Sequence, residues 1–477
     1  MQPLGQHALV IGASIGGLLA ARVLTDYYEQ VTICDRDAFA TANQARQGVP
    51  QGQQGHALLT KGQEIIEEFF PGLTEDLVAQ GAVMATVGLD GRWFDGNDYH
   101  CRVNTGLMGL LVSRPRLESQ MRARLLTRPN VSLIERCAIV GLIPDADNQR
   151  ITGVRVSPHN QEIKEHQLKA DLVVDASGRG SSIPALLEAL GYPRPQEERM
   201  NVDVGYATRR YRREPQHLQG DKFAITTATP EIPRVGVLLA QEQDCWVVSL
   251  GGYAGHHPPT DDQGFLEFAR GLASSDIYDI IQQAQPLSDP VPFKFVASQR
   301  RHFEQLSCFP EGLLVFGDAI CSFNPFYAQG MAVAAQQAQA LQGCLSQGSE
   351  RLALRFFKQT GPVINRAWTM ACNNDLRIPT VEGQRTVVSR LINWYTHRLH
   401  TAAHSDPLVA QSFYDVAYAM ASPLSLFKPQ MLTRVLFGNC RDSSVPTSLD
   451  KFQSSWPALY QPPNSIYELL EANHLLN

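Results

Sequence analysis

At 477 residues the chain exceeds what one hydrophobic core ordinarily supports, which predicts two or three lobes. A hydrophobic share of 44%, a charged share of 18% and no long low-complexity tract predict a chain that folds throughout, while a formal charge of −6 argues against a general nucleic-acid binder. Nine cysteines, at 34, 101, 137, 245, 308, 321, 344, 372 and 440, show no CxxC spacing and suggest neither a disulfide framework nor a zinc site; without a basic leader or a bilayer-length apolar run, the reading is a soluble cytoplasmic protein with no transmembrane segment.

In chain order, the apolar run His7 to Ile11 predicts a buried parallel strand and Gly17 to Leu24 a helix packed on it. The turn between them, Gly12-Ala13-Ser14-Ile15-Gly16-Gly17, has the form of a dinucleotide-binding turn. Gly12 makes the bend, position 14 must be small to let backbone approach a pyrophosphate, and Gly17 lets helix and strand pack closely. Ser14 stands where the middle glycine is usual. A second run, Val31 to Cys34, ends in Asp35, where the fingerprint places a carboxylate for a ribose hydroxyl pair, favouring an adenosine with a free 2′-hydroxyl.

Arg46-Gln47-Gly48-Val49-Pro50-Gln51 and the residues to His56 read as a loop leading into a helix over 58–70; an arginine there can neutralise a pyrophosphate with a bidentate fork. Residues 83–107 read as short strands outside the nucleotide lobe. Leu110 to Leu126 returns to that lobe as strand, Ser-Arg-Pro turn and helix, with Ser113 a cap and Pro115 in the first turn. Strands follow at 131–134, 138–142 and 153–157. Ala170 to Ser181 is another buried strand running into a Gly/Ser turn, and two such turns point to one shared crevice. From about 200 to 298, period-two segments predict an antiparallel sheet with a helix over 261–272 lying on it. The alternation in Val235 to Leu239 supplies an apolar face suited to a largely hydrocarbon ligand. Leu313 to Phe316 is a strand ending in Gly317-Asp318-Ala319, a long helix runs from about Gly330 to Leu345, and 350–477 is mainly helical.

Together, Gly12 to Gly17 with Asp35, the Arg114 turn, Asp175-Ala176-Ser177-Gly178, and Gly317-Asp318 with Asn324-Pro325-Phe326-Tyr327-Ala328-Gln329-Gly330-Met331 resemble the class A FAD-dependent monooxygenases of the p-hydroxybenzoate hydroxylase fold. The resemblance covers about the first 345 residues. It extends to the flavin epoxidases and hydroxylases of polyketide and terpenoid pathways through Arg46 to Gln51, Val174 to Ser181, Asn324 to Tyr327 and Leu376-Arg377-Ile378-Pro379-Thr380-Val381-Glu382-Gly383. It implies an α/β fold: a Rossmann-like FAD-binding domain over 1–82, 108–198 and 299–345, an antiparallel-sheet substrate domain over 83–107 and 199–298, and a helical C-terminal region over 346–477.

Carried over by residue, the resemblance implies that Gly12, Ser14, Gly16 and Gly17 form the phosphate turn. It implies that Asp35 binds the adenosine ribose, Arg46 and Arg114 lie along the pyrophosphate and ribityl chain, and Asp318 holds a ribityl hydroxyl. The helix opening at Gly330 and Met331 would aim its positive end at the flavin, where reduction places negative charge. Two departures stand out. Ser177 replaces the usual Asp of an Asp-Gly pair, which bears on how a nicotinamide cofactor docks, and Ala328 replaces the first glycine of Pro-x-x-Gly-x-Gly.

The implied activity is oxygen insertion. FAD, reduced by NAD(P)H directly or through a separate flavin reductase, reacts with O2 to give a C4a-hydroperoxide and passes one oxygen to an apolar natural-product-type substrate. No metal, protein nucleophile or catalytic base is assigned; His56, His256 and His257 read as loop or structural residues. A halogenase would carry Trp-x-Trp, but Trp93, Trp246, Trp368, Trp394 and Trp456 are isolated. A prenyl reductase of the geranylgeranyl type, sharing the FAD crevice and an apolar tunnel, is the alternative reading, and a non-enzymatic FAD-binding protein the third.

Overall fold

The computed structural model describes residues 2–39, 45–46, 48–158 and 165–438. Gln47 and the stretch 439–477, with Cys440, Trp456 and the last part of the expected helical region, lie outside the described residues. Five parallel strands form one sheet in the order Leu313–Val315, Leu172–Asp175, Gly5–Ile11, Tyr28–Cys34, Val131–Ile134. Strand order therefore reverses between Gly5–Ile11 and Leu172–Asp175, and in open α/β sheets a ligand crevice lies outside the carboxyl ends of the strands at that reversal. The strands are apolar throughout because helices cover the sheet: Leu9, Val10, Val31, Ile33, Val173, Val174 and Leu314 are all fully buried. Helix Ile15–Leu24 is sandwiched between this sheet and helix Gln329–Leu345, which is why Leu18, Leu19, Ala20 and Ala21 are apolar on every side.

Helix and strand meet at the first turn. Gly12 has φ +99°, and a Cβ there would stand 2.6 Å from the Ala176 carbonyl oxygen. A Cβ on Gly17 would stand 1.8 Å from the Gly12 carbonyl oxygen, so only glycine permits this approach.

The second layer is an eight-stranded sheet in the order Cys321–Ser322, Val291–Arg301, Glu197–Arg212, Cys245–Tyr253, Arg234–Gln241, Phe223–Thr226, Gly91–Asp95, Asp98–Tyr99. It is antiparallel except where Phe223–Thr226 pairs parallel to Gly91–Asp95; those strands are far apart in sequence and no hairpin constrains their direction. One face packs beneath helices Asp262–Arg270 and Asp276–Ile281: Leu238, Trp246, Val248 and Leu250 bury against Phe265, Phe268 and Ile277. Asp261 caps the first of these helices by accepting the Gly264 N–H at 2.7 Å.

The strand before the Arg114 helix, Met108–Leu111, sits antiparallel between Ala57–Leu58 and Val83–Thr86, outside the parallel sheet. One local expectation needs correction. Ser113 occupies the N-cap position of helix Arg114–Leu126, but its hydroxyl donates to Glu242 instead of capping the helix. Helices Leu352–Asp375, Val387–Ala403, Pro407–Ala417 and Pro429–Phe437 complete the described chain, the last three clustering with Leu59, Val87 and Trp93. Among the described residues no helix is long and apolar enough to cross a membrane.

The two glycine environments make a matched test. Gly17→Ala should destabilise the fold by about 2 kcal/mol or more, since the methyl strikes backbone, whereas Gly330→Ala, whose Cβ would meet nothing within 4 Å, should stay within about 1 kcal/mol of the parent. Denaturant midpoints measure both; equal midpoints for the two variants would contradict the close-approach argument.

Candidate functional site

One cavity of about 1110 Å³ opens at the strand-order reversal and runs between the two large sheets. Its wall includes Gly12, Ser14, Gly16, Asp35, Arg46, Arg114, Asp318, Gly330 and Met331, so nine of the ten residues picked from sequence come together around one space. The tenth, Gly17, lies behind the turn and acts through the close approach to Gly12.

The polar end is organised by a residue that sequence reasoning missed, Glu118. Only 3% exposed, its carboxylate accepts from Ser14 Oγ (2.6 Å), Arg114 Nε (2.9 Å) and Arg46 Nη2 (2.8 Å), while Arg114 Nη2 donates to Ser14 Oγ at 2.8 Å. Ser14 is thus more than a small residue: its hydroxyl joins the turn to both the acid and the arginine. Burial alone would raise the Glu118 carboxyl, but Arg114, Arg46 and the Ser14 hydroxyl hold it down at about 2. The available signal was the i,i+4 spacing of Arg114 and Glu118 on one helix face. Asp35 accepts the Ala13 N–H (2.7 Å) and the Asp37 N–H (2.8 Å), and Arg46 Nη1 stands 3.3 Å from both Asp35 and Asp37. Burial lowers the Arg46 guanidinium, but Glu118, Asp35 and Asp37 outweigh it and hold the group above its ordinary value.

At the second turn, Asp175 accepts the Ser177 N–H at 3.1 Å and the Ser181 hydroxyl, so the Asp-Ala-Ser-Gly bend is closed by its own first residue. Asp318 differs from these carboxylates. It makes no hydrogen bond among the described residues and its side chain is exposed, yet it is surrounded by protein: its exposure is to the cavity. That enclosure raises its carboxyl, opposed by Arg114 and Arg179. The loop carrying Asp318 is fixed from behind by Gln337, 1% exposed, whose Oε1 accepts the Gly317 N–H at 2.8 Å.

Helix Gln329–Leu345 starts at the cavity with Gly330 and Met331 on the wall. Its N-cap, Ala328, is left-handed at φ 53°, a conformation that strains a residue with a Cβ and is natural to the glycine it replaces. The methyl packs against the cluster of Tyr414 and Tyr418, which ties the loop to the C-terminal helices. The first turn of the helix holds no acidic residue, and its leading N–H groups are positioned to favour negative charge.

A buried polar network spans this loop, the eight-stranded sheet and the C-terminal helix. Asp375 Oδ1 accepts from Tyr327 OH (2.8 Å), Asn324 Nδ2 (2.9 Å) and Tyr253 OH (3.0 Å), and Asn324 Oδ1 accepts from Tyr206 OH at 2.6 Å. Tyr206, Tyr253 and Tyr327 line the cavity, while Asp375 Oδ2 has no hydrogen-bond partner among the described residues. Burial raises the Asp375 carboxyl to about 6, against the lowering pull of Asn324, Tyr327 and Tyr253. The eight-stranded sheet gives the cavity an apolar face. Val235, Val237 and Leu239 face it while Gly236 and Leu238 face the covering helices, and from the neighbouring strand Ser249 faces it while Trp246, Val248 and Leu250 point away. His56, also on the wall, is pushed down to about 4 by burial and by Arg114, which keeps its imidazole neutral.

The Asp375 proton has a readable consequence. A carboxyl whose folded-state value is raised contributes stability that is fully present below its ordinary unfolded value and is lost as pH rises through about 6. Asp375→Asn cannot ionise, so relative to the parent it should gain about 2 kcal/mol between pH ~4 and pH ~7. Denaturant unfolding across that range measures the difference; a difference independent of pH would contradict it.

The comparisons with known proteins agree with this architecture. No protein-family model matches the chain. Protein Rv3254 of Mycobacterium tuberculosis (strain ATCC 25618 / H37Rv) is 32% identical over 424 residues, covering 85% of this chain and 88% of that protein. Among solved structures, the flavin-dependent brominase Bmp2 superposes with a TM-score of 0.63 at 13% identity, over 95% of this chain and 100% of that one. The p-nitrophenol 4-monooxygenase PnpA of Pseudomonas putida DLL-E4 superposes with a TM-score of 0.61 at 15% identity, over 88% of this chain and 98% of that one. At such identities the likeness is one of fold. The chain therefore belongs to the same family as Protein Rv3254, built on the fold of the class A flavin-dependent monooxygenases.

Proposed function

We propose that this protein is a cytoplasmic FAD-dependent monooxygenase that transfers one oxygen atom of O2 to an apolar, natural-product-type small molecule by epoxidation or hydroxylation. The observation that carries the reading is the single cavity whose one end is a phosphate-type turn and whose other end is an apolar sheet face. The residues suit FAD. The Gly12 turn leaves no room for a side chain, Gly330 and Gly317 leave open space where a Cβ would stand, and Asp318 offers an unpaired carboxylate to a ribityl hydroxyl. In this reading the segments 1–82, 108–198 and 299–345 hold the cofactor, 83–107 and 199–298 form the substrate side, and 346–477 is the C-terminal helical region.

When bound, FAD supplies the redox chemistry and the reaction with O2. The chain's own part is binding, orientation and exclusion of water. Asp35 takes the adenosine ribose, the turn from Gly12 to Gly17 receives the pyrophosphate, and Arg46 and Arg114 offer guanidinium donors beside it while Glu118 limits their repulsion. The N–H groups at Gly330 and Met331 would favour negative charge on the bound cofactor. Val235, Val237 and Leu239 keep the substrate side dry. NAD(P)H is the reductant, directly or through a separate flavin reductase. Epoxidation of an alkene needs no base on the protein, in keeping with a neutral His56 and the tyrosine-rich wall.

Asp318→Ala removes the charged acceptor of one hydrogen bond and should weaken FAD binding by about 10–100-fold with the fold retained; unchanged affinity would remove Asp318 from the site. For the reaction itself, the FAD-loaded protein is reduced with NAD(P)H, directly or with an added flavin reductase, and supplied with oxygen and a panel of polyenes. Oxygen uptake with a product one oxygen atom heavier is expected. A hydrogenated product formed without oxygen would replace this reading with a prenyl-type reductase, and a halogenated product in bromide or chloride would replace it with a halogenase.

A further inference from the structure

Beside the apolar sheet face, the cavity wall carries a polar cluster that the account above leaves unused. Trp93, Asp95, Thr227, Arg377 and His400 share that wall. The Arg377 side chain is 13% exposed, and its guanidinium makes no hydrogen bond among the described residues; Asp95 Oδ1 stands 3.5 Å from Nη2, an ion-pair contact that leaves the remaining donors open to the cavity. Guanidinium donors that face a cavity in this way are available to an acceptor on a ligand. The indole N–H of Trp93 on the same wall is also buried, with no acceptor among the described residues.

Asp95, 2% exposed, keeps Arg377 in place and is itself well held. Thr227 Oγ1 donates to its Oδ2 at 2.6 Å, His400 Nδ1 lies 3.8 Å from the same oxygen, and His100 Nε2 is 3.0 Å from His400 Nδ1. Burial would raise the Asp95 carboxyl, but His400, Arg377 and Thr227 outweigh it and hold it at about 2. His400 is itself pushed down to about 4 by burial and His100 to about 2, so both rings are neutral at neutral pH and Arg377 is the countercharge to Asp95. The cluster is therefore close to zero net charge while still presenting strong N–H donors. An anionic group would meet Asp95 as well as Arg377 and gain little; a neutral oxygen with two lone pairs gains two donors at no such cost.

We propose that Arg377, positioned by Asp95, is the docking point for a carbonyl oxygen on an otherwise apolar substrate. This rests on the monooxygenase reading for the word substrate but not for the binding itself. The carbonyl sets which end of the molecule lies against the C-terminal helices, and the apolar remainder lies along Val235, Val237 and Leu239 toward the cofactor end. The inferred substrate class is thus an apolar ketone or quinone, and oxygen transfer falls on a carbon remote from that carbonyl.

The test uses probes matched in shape, 2-acetylnaphthalene, 2-ethylnaphthalene and 2-naphthoate, titrated calorimetrically into the FAD-loaded protein. The ketone should bind at least about tenfold more tightly than the hydrocarbon, because a site built around unpaired donors penalises a ligand that cannot accept. In Arg377→Gln the preference should fall to about two-fold or less, and in Arg377→Lys, which keeps the charge opposite Asp95 and so guards against a folding failure, it should shrink to an intermediate value. Equal affinities in the parent, no binding of the ketone, a preference that survives in both variants, or tighter binding of 2-naphthoate would each overturn the proposal. If the protein takes up no FAD but shows the ketone preference, the monooxygenase reading fails and the anchor stands; if it oxidises hydrocarbons with no ketone preference, the reverse holds.

Discussion

Three hydrogen bonds converge on one oxygen of Asp375, and through them three distant parts of the chain become one wall. Tyr253 comes from the eight-stranded sheet, Asn324 and Tyr327 from the loop ahead of the Gly330 helix, and Asp375 from the end of the helix that begins at Leu352. That convergence holds the loop that presents Gly330 and Met331 toward the cavity, and it is one of several polar attachments between the C-terminal helices and the sheet, beside Arg300 to Asn365 and Asp95 to Arg377. A fully enclosed acid with Oδ2 unpaired is an expensive way to join elements, and buried polar groups of this kind define a unique arrangement when their partners are satisfied. The other end of the cavity repeats the device with full charges: Glu118 gathers the Ser14 turn, the Arg46 loop and the Arg114 helix around one buried carboxylate.

Much of this was legible in the residues. Two buried strands running into glycine turns, with Asp35 behind the first, are local patterns whose spacing reflects the chemistry of a phosphate close to backbone, so Gly12, Ser14, Gly16 and Asp35 could be picked without coordinates. Alternation in Val235 to Leu239 likewise announced two faces, although sequence alone could not say which faced a cavity and which the covering helices. What was not legible depends on long-range assembly. Asp375 and Tyr253 are 122 residues apart, Asp95 and Arg377 farther still, and no periodicity links such pairs. Ser113 looked like a cap because its position fits one, and it instead bonds Glu242, 129 residues away, since a tertiary partner outcompeted the helix terminus. The parallel pairing of Phe223–Thr226 with Gly91–Asp95 was hidden for the same reason.

The contrast between a charged turn at one end of the cavity and an apolar sheet face beside it gives the chemical reading its content. Cations meet the nucleotide end in company with acids, so Arg46 and Arg114 are held in place before any ligand arrives, and a preorganised site does not spend binding energy on ordering them. Toward the sheet the wall offers hydrocarbon, phenol hydroxyls already engaged with Asp375 and Asn324, and a neutral imidazole at His56.

The most direct test of this account is a crystal structure of the protein saturated with FAD. The account predicts the dinucleotide stretched along the cavity, with its adenosine ribose on Asp35, its ribityl chain beside Asp318 and its ring at the Gly330 end of the Gln329–Leu345 helix, leaving the space along Val235, Val237 and Leu239 free for substrate. Flavin bound elsewhere, or a ring filling the Arg377 end of the cavity, would contradict it.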